Sequence, residues 1–118
     1  MKLEQQVVSL ELAKRMKELG FEQSSLFYWD DGDGREDQLN YSPDVPLREL
    51  VSAYTVAELG EMLPSHYASS KAGYGGEFLC GELSKNGGYE RQYKHDYTEA
   101  DARAKMLIYL LENKLIDL

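Results

Sequence analysis

Val8, Leu12, Met16 and Leu19 recur at steps of four, four and three, with Lys14, Arg15, Lys17 and Glu18 between them. On a helix that spacing makes one apolar stripe with the charges off it, so the stretch predicts an amphipathic helix facing the core. Gly20 supplies the left-handed residue that stops it, and Phe21 stands where it can fold back on Met16. Leu26, Phe27, Tyr28 and Trp29 then predict a strand. A weaker strand carries Leu39 and Tyr41, and Asp30-Asp31-Gly32-Asp33-Gly34 forms the turn of a hairpin between them. Residues 42–54 leave two readings open. Pro43 and Pro46 oppose regular structure, while Leu47, Leu50 and Val51 suit either a helical turn or an edge strand.

Thr55 followed by Glu58 is a capping-box pattern, and Val56, Leu59 and Leu63 share one face before Pro64 closes the segment, which predicts a short second helix. Residues 77–95 predict a second hairpin around Asn86-Gly87. A two-residue loop there sets Ser84 opposite Tyr89, Glu82 opposite Arg91, Cys80 opposite Tyr93 and Phe78 opposite His95. Thr98, with Glu99 and Asp101 behind it, starts a last helix whose seam is Ala100, Ala104, Leu107 and Leu111. From Met106 to Leu111 that helix is apolar all round, wider than one small sheet needs. The excess predicts that part of it, with Met106, Tyr109 and Leu110, meets a partner or a second copy. Together these elements predict a single α+β domain over residues 1–118: a mainly antiparallel sheet of hairpins covered by N-terminal, short middle and C-terminal helices.

Composition narrows the partners. The 118 residues carry a net charge of −8, and residues 21–64 hold ten acidic residues against two basic ones. Nucleic acid and anionic membranes attract through surplus Lys and Arg, so general binding to either is disfavoured. The one thiol, Cys80, excludes an intramolecular disulfide and favours a reducing, cytoplasmic compartment. No stretch resembles an export signal or reaches the ~18–20 apolar residues of a membrane span.

Candidate chemistry is thin. If Gly34 took the sixth position of an EF-hand loop, Trp29 and Asn40 would occupy its first and last ligand positions, so the acidic turn reads as a solvated hairpin turn. Cys80, His66 and His95 form no paired zinc spacing, and no metal or cofactor is implied. The register above brings His95 near Cys80, which keeps a Cys/His nucleophile in view, against the commoner role of a free Cys as core packing. The glycines of 73–76 lack the Lys and Ser/Thr of a phosphate-binding loop. Nine tyrosines offer recognition surface instead. Tyr89 and Tyr93 interleave with Arg91 and Lys94, a pattern suited to stacking single-stranded nucleic acid, which Glu90 and Asp96 dilute.

Three pieces carry a resemblance: SLELAKRMKELGF followed by FYW, then TVAELGEMLP, then TEADARAKMLIYLLENKLI. In their order and spacing, over about half of the chain, they resemble a group of small proteins of phages, prophages and related mobile elements. The resemblance implies a mobile-element origin and an α+β domain, and it carries over no activity, cofactor or catalytic residue. The last strands and helix are also similar in layout to double-stranded-RNA-binding domains, but Glu99 and Asp101 stand where such modules use Lys on phosphates. The leading expectation is a small non-enzymatic interaction protein. A nucleic-acid accessory protein using the 85–95 hairpin is the first alternative, and a Cys80/His95 enzyme the second.

Overall fold

The computed structural model describes residues 2–30, 39–40, 50–71, 75–86 and 88–118. The acidic turn after Asp30, Pro43, Pro46, Leu47 and the start of the 73–76 glycine stretch lie outside the described residues. The architecture is α+β, with three helices and two three-stranded antiparallel sheets. The first sheet has the order β2-β1-β3, from β1 (Tyr28–Asp30), β2 (Leu39–Asn40) and β3 (Leu50–Ser52). The second has the order β4-β5-β6, from β4 (Tyr67–Lys71), β5 (Phe78–Leu83) and β6 (Tyr89–Asp96).

Helix α1 (Leu10–Leu19) follows Ser9 and ends at Gly20 with φ of 98°. The amide of Phe21 donates to the Met16 carbonyl at 3.0 Å and that of Gly20 to Lys17 at 3.1 Å, the paired bonds of a Schellman ending. Its buried residues are Leu10, Ala13 and Met16. Val8 is also buried but precedes the helix, where its amide pairs with the Tyr54 carbonyl. Helix α2 (Val56–Met62) has the full capping box: the Thr55 side chain accepts from the Glu58 amide, and the Glu58 carboxylate accepts from the Thr55 amide at 2.9 Å.

The first hairpin pairs Tyr28 with Asn40 and Trp29 with Leu39, and the ambiguous stretch supplies an edge strand, since β3 runs antiparallel to β1. Trp29 buries its ring and donates its indole N–H to the Val8 carbonyl at 2.8 Å, the partner that a buried indole requires. Strand β4 is an element the apolar pattern did not announce.

Helix α3 (Glu99–Glu112) joins the two halves. One of its faces, with Ala100, Ala104, Leu107 and Ile108, completes a core shared with Met16, Trp29, Val51 and Leu59. The other, with Ala102, Met106 and Leu110, packs on Cys80, with Phe78 and Tyr67 at its margin. A helix between two cores needs apolar residues on two sides. That accounts for the width of the 106–111 segment and corrects the expectation that it is spare surface. Met106 and Leu110 are each 1% exposed and sit under the second sheet, and Tyr109 is half-buried beside them.

Candidate functional site

The second hairpin decides which side chains reach solvent, and its register differs from the one the sequence predicts. The Ser84 amide donates to the Gly88 carbonyl at 2.7 Å, so three residues rather than two form the loop. Leu83 then stands opposite Tyr89, and an irregularity follows in which three residues of β6 face one of β5. Beyond it, Gly81 pairs with Tyr93, Cys80 with Lys94, Leu79 with His95 and Phe78 with Asp96. Directly opposed residues point to the same face, and a shift of one residue exchanges the faces.

Of the predicted binding cluster, Lys94 is separated from the two tyrosines. Lys94 lies on the inner face with Cys80, its ammonium 4.4 Å from the centroid of the Tyr109 ring on α3. Tyr89 and Tyr93 lie on the outer face, their ring centroids 6.1 Å apart and tilted by 35°. Of Arg91 only the backbone is described: it lies in the irregular stretch of β6 beside Glu82, which on its other side pairs with Tyr67 of β4. Lys94 thus stands apart from the tyrosine pair that it accompanies in sequence.

The same shift separates Cys80 from His95. Cys80 is fully buried against α3, while His95 points to the other face, where its Nδ1 lies 3.4 Å from Glu77 Oε2. Burial pushes the Cys80 thiol up to about 11, reinforced by the Glu99 carboxylate and opposed by the Arg103 guanidinium. A nucleophilic cysteine needs a depressed value and an adjacent base, so this pair is not assembled for catalysis. His66 is exposed, as its place after Pro64 suggests, and adopts φ of 73°. Among the described residues no group of three metal-capable side chains comes together, and no helix is long and apolar enough to cross a membrane.

What the hairpin presents outward is a mixed apolar and aromatic strip. Leu83, Tyr89 and Tyr93 follow one another across β5 and β6, with Leu79 and Ala68 on the same side. Leu83 is 41% exposed and Tyr93 48%. Gly81, opposite Tyr93, adds no side chain beside that ring. Tyr89 is fixed from beneath, its hydroxyl 2.6 Å from Ser70 Oγ and 3.3 Å from the Leu79 carbonyl. The solvent face of an antiparallel sheet ordinarily alternates to polar residues. Among the described side chains this one does so at its ends, at Ser70 and His95.

A polar junction that the sequence pattern did not single out holds the second sheet in place. Arg103 donates from Nε to Ser69 Oγ at 2.8 Å, from Nη1 to the Val56 carbonyl at 2.6 Å, and from Nη2 to Glu99 Oε2 at 3.4 Å. Ser69 Oγ also donates to the Glu99 carboxylate. Three elements, α2, β4 and α3, meet on one guanidinium. Gly60 lies on the path of this side chain, and a Cβ there would collide with Nη1. The only sequence-level trace is the Glu99/Arg103 spacing of four on α3. The second anchor is Asp101, whose Oδ1 accepts from the Ser9 amide at 2.7 Å and ties the start of α3 to the start of α1. Burial raises the Asp101 carboxyl above its ordinary value, and that hydrogen bond opposes the rise.

Comparison with known proteins finds no matching family model, no matching curated protein and no matching solved structure, so function has to be read from the surfaces of this chain itself.

Proposed function

We propose that this chain is a small non-enzymatic interaction protein of the phage and prophage kind, acting in a reducing compartment. It binds a protein partner, or a second copy of itself, through the outer face of the second sheet. The observation that carries the reading is the contiguous exposure of Leu83 and Tyr93 around the anchored Tyr89 ring. Single exposed apolar residues are ordinary, but an apolar and aromatic strip on a rigid sheet has the composition of an interface centre. Tyrosine supplies contact area with few torsions to freeze.

A photo-crosslinking residue placed at Tyr93, with a second chain carrying it at the exposed Glu11 of α1, tests this in cells. A discrete adduct from position 93 and none from position 11 is expected. An adduct of twice the chain mass identifies a second copy as the partner. Equal labelling from both positions, or none from position 93, removes the reading.

A further inference from the structure

A second surface lies away from that sheet, where the chain after α3 runs beside the end of α1. A cleft of about 840 Å³ opens there. Its floor includes Phe21, Tyr54 and Leu107, all buried members of the first core, so its base is apolar and held by packing. Leu115 and Leu118 stand at its rim, 61% and 64% exposed although apolar volume lies next to them. The Leu118 Cδ1 lies 3.6 Å from the point where a side chain on Gly20 would begin, so the tail runs against the bare end of α1. The charged residues lining the cleft are Glu22 and Asp117, both acidic and both exposed.

An apolar floor between two carboxylates fits a ligand that is apolar on one side and cationic at its flanks. We infer that this cleft binds a short amphipathic protein segment whose apolar anchors enter between Phe21 and Leu115 while flanking Lys or Arg residues pair with Glu22 and Asp117. Charge complementarity selects this occupant. An acidic segment would set like charges together at the rim, and the net charge of −8 would slow its approach while drawing in a cationic one. The apolar anchors supply most of the affinity and the two rim pairs supply discrimination.

The test is an NMR titration of the full isotope-labelled chain with a Leu/Lys amphipathic peptide and, separately, with its Leu/Glu counterpart. The Lys peptide is expected to shift the amides of Gly20, Phe21, Tyr54 and Leu115 and to bind about tenfold more tightly than the Glu peptide, as two exposed ion pairs allow. Glu22→Lys with Asp117→Lys should abolish that preference, and Leu115→Ser with Leu118→Ser should weaken the Lys peptide. All four positions are exposed, so folding is unaffected, and the unperturbed spectrum checks this. Equal affinity for the two peptides, shifts confined to other surfaces such as Tyr89 and Tyr93, or no shift with either peptide would overturn the inference. Because the cleft and the outer sheet face give separate sets of shifts, either site can fail without the other.

Discussion

The second sheet packs on α3 and the first on α1, within the core that α3 completes, and the two differ in how far their strands are covered. In the first sheet Leu50, Val51 and Ser52 of β3 are all buried, and so are Tyr28 and Trp29 of β1, so the described side chains of this sheet are interior. In the second sheet only Cys80 and Gly81 of β5 are buried among the described side chains, and the ends of β4 and β5 reach solvent. Among the described residues the first core has fifteen buried members and the second four. A sheet closed on both sides can contribute only stability, whereas one open on a side keeps surface for recognition. The second sheet therefore depends heavily on few contacts: Met106, Leu110 and Cys80 beneath it, and Arg103 at its β4 edge.

Truncating α3 on one side and then the other gives the largest effects. Leu107→Ala and Met106→Ala each remove a fully buried side chain and should cost about 2–5 kcal/mol. Their signatures should differ. By native-state hydrogen exchange, Met106→Ala should accelerate amides of β4, β5 and β6 and spare β1 and β3, while Leu107→Ala should accelerate both sheets. Uniform acceleration by both would mean that the two cores open as one.

Arg103→Ala should lose about 2–3 kcal/mol, the range for a charged group that leaves buried partners unsatisfied. Arg103→Lys should recover little of it, because one ammonium cannot reach Ser69, Val56 and Glu99 together. Gly60→Ala would ordinarily stabilise a helix. Here it should destabilise in the parent and stabilise in the Arg103→Ala background, a reversal that denaturant titration of the double-mutant cycle measures.

Each core buries one weak acid, so alkaline pH separates them. Burial raises Cys80 from 9.0 to about 11 in the second core and Tyr54 from 10.0 to about 12 in the first. At Tyr54 the Ser52 side chain opposes the rise and the Glu22 and Glu58 carboxylates add to it. Both groups are neutral when protonated, so the folded chain keeps its protons to higher pH than the unfolded chain. Below pH 9 neither group costs stability. Above it, stability should fall by up to about 1.4 kcal/mol per pH unit for each group in its window, Cys80 first and Tyr54 later. Cys80→Ala should remove the earlier loss and keep the later one in denaturant titrations across that range. For the same reason, alkylation of the native thiol at neutral pH should be slow and should quicken only on unfolding.

The smallest expected effect falls on the open face. Leu83→Ser and Tyr93→Ser should change stability by no more than about 1 kcal/mol, since both side chains stand on the surface with nearly half of their area already solvated. Thermal melts that shift strongly for either would mean that the face is structural.

Much of the fold is legible in local chemistry. Gly20 stops α1, Thr55 and Glu58 start α2, and Thr98 starts α3, because caps satisfy backbone groups within a few residues and need no tertiary partner. Strand β4 is not legible, since Tyr-Ala-Ser-Ser-Lys has one good strand former and no apolar alternation. It is held by pairing with β5 and by the Ser69 contacts to Arg103 and Glu99, which come from residues thirty positions away or more. The candidate surface was only half legible. Tyr89 and Tyr93 belong to it only because the observed register turns them away from Cys80, with which the two-residue-loop register would have aligned them, while Lys94, next to Tyr93 on the strand, takes the opposite face.

By itself the sequence determined the α+β class, the helix signals at Gly20, Thr55 and Thr98, and the acidic balance, all set by interactions within one turn or by simple counting. Tertiary structure alone decided the division into two sheets, the burial of Met106 and Leu110, and the placing of Cys80 and His95 on opposite faces. The physical reason lies in the period of a strand. Two side chains per repeat make a one-residue change of register invisible to composition but decisive for which face each residue of β6 takes.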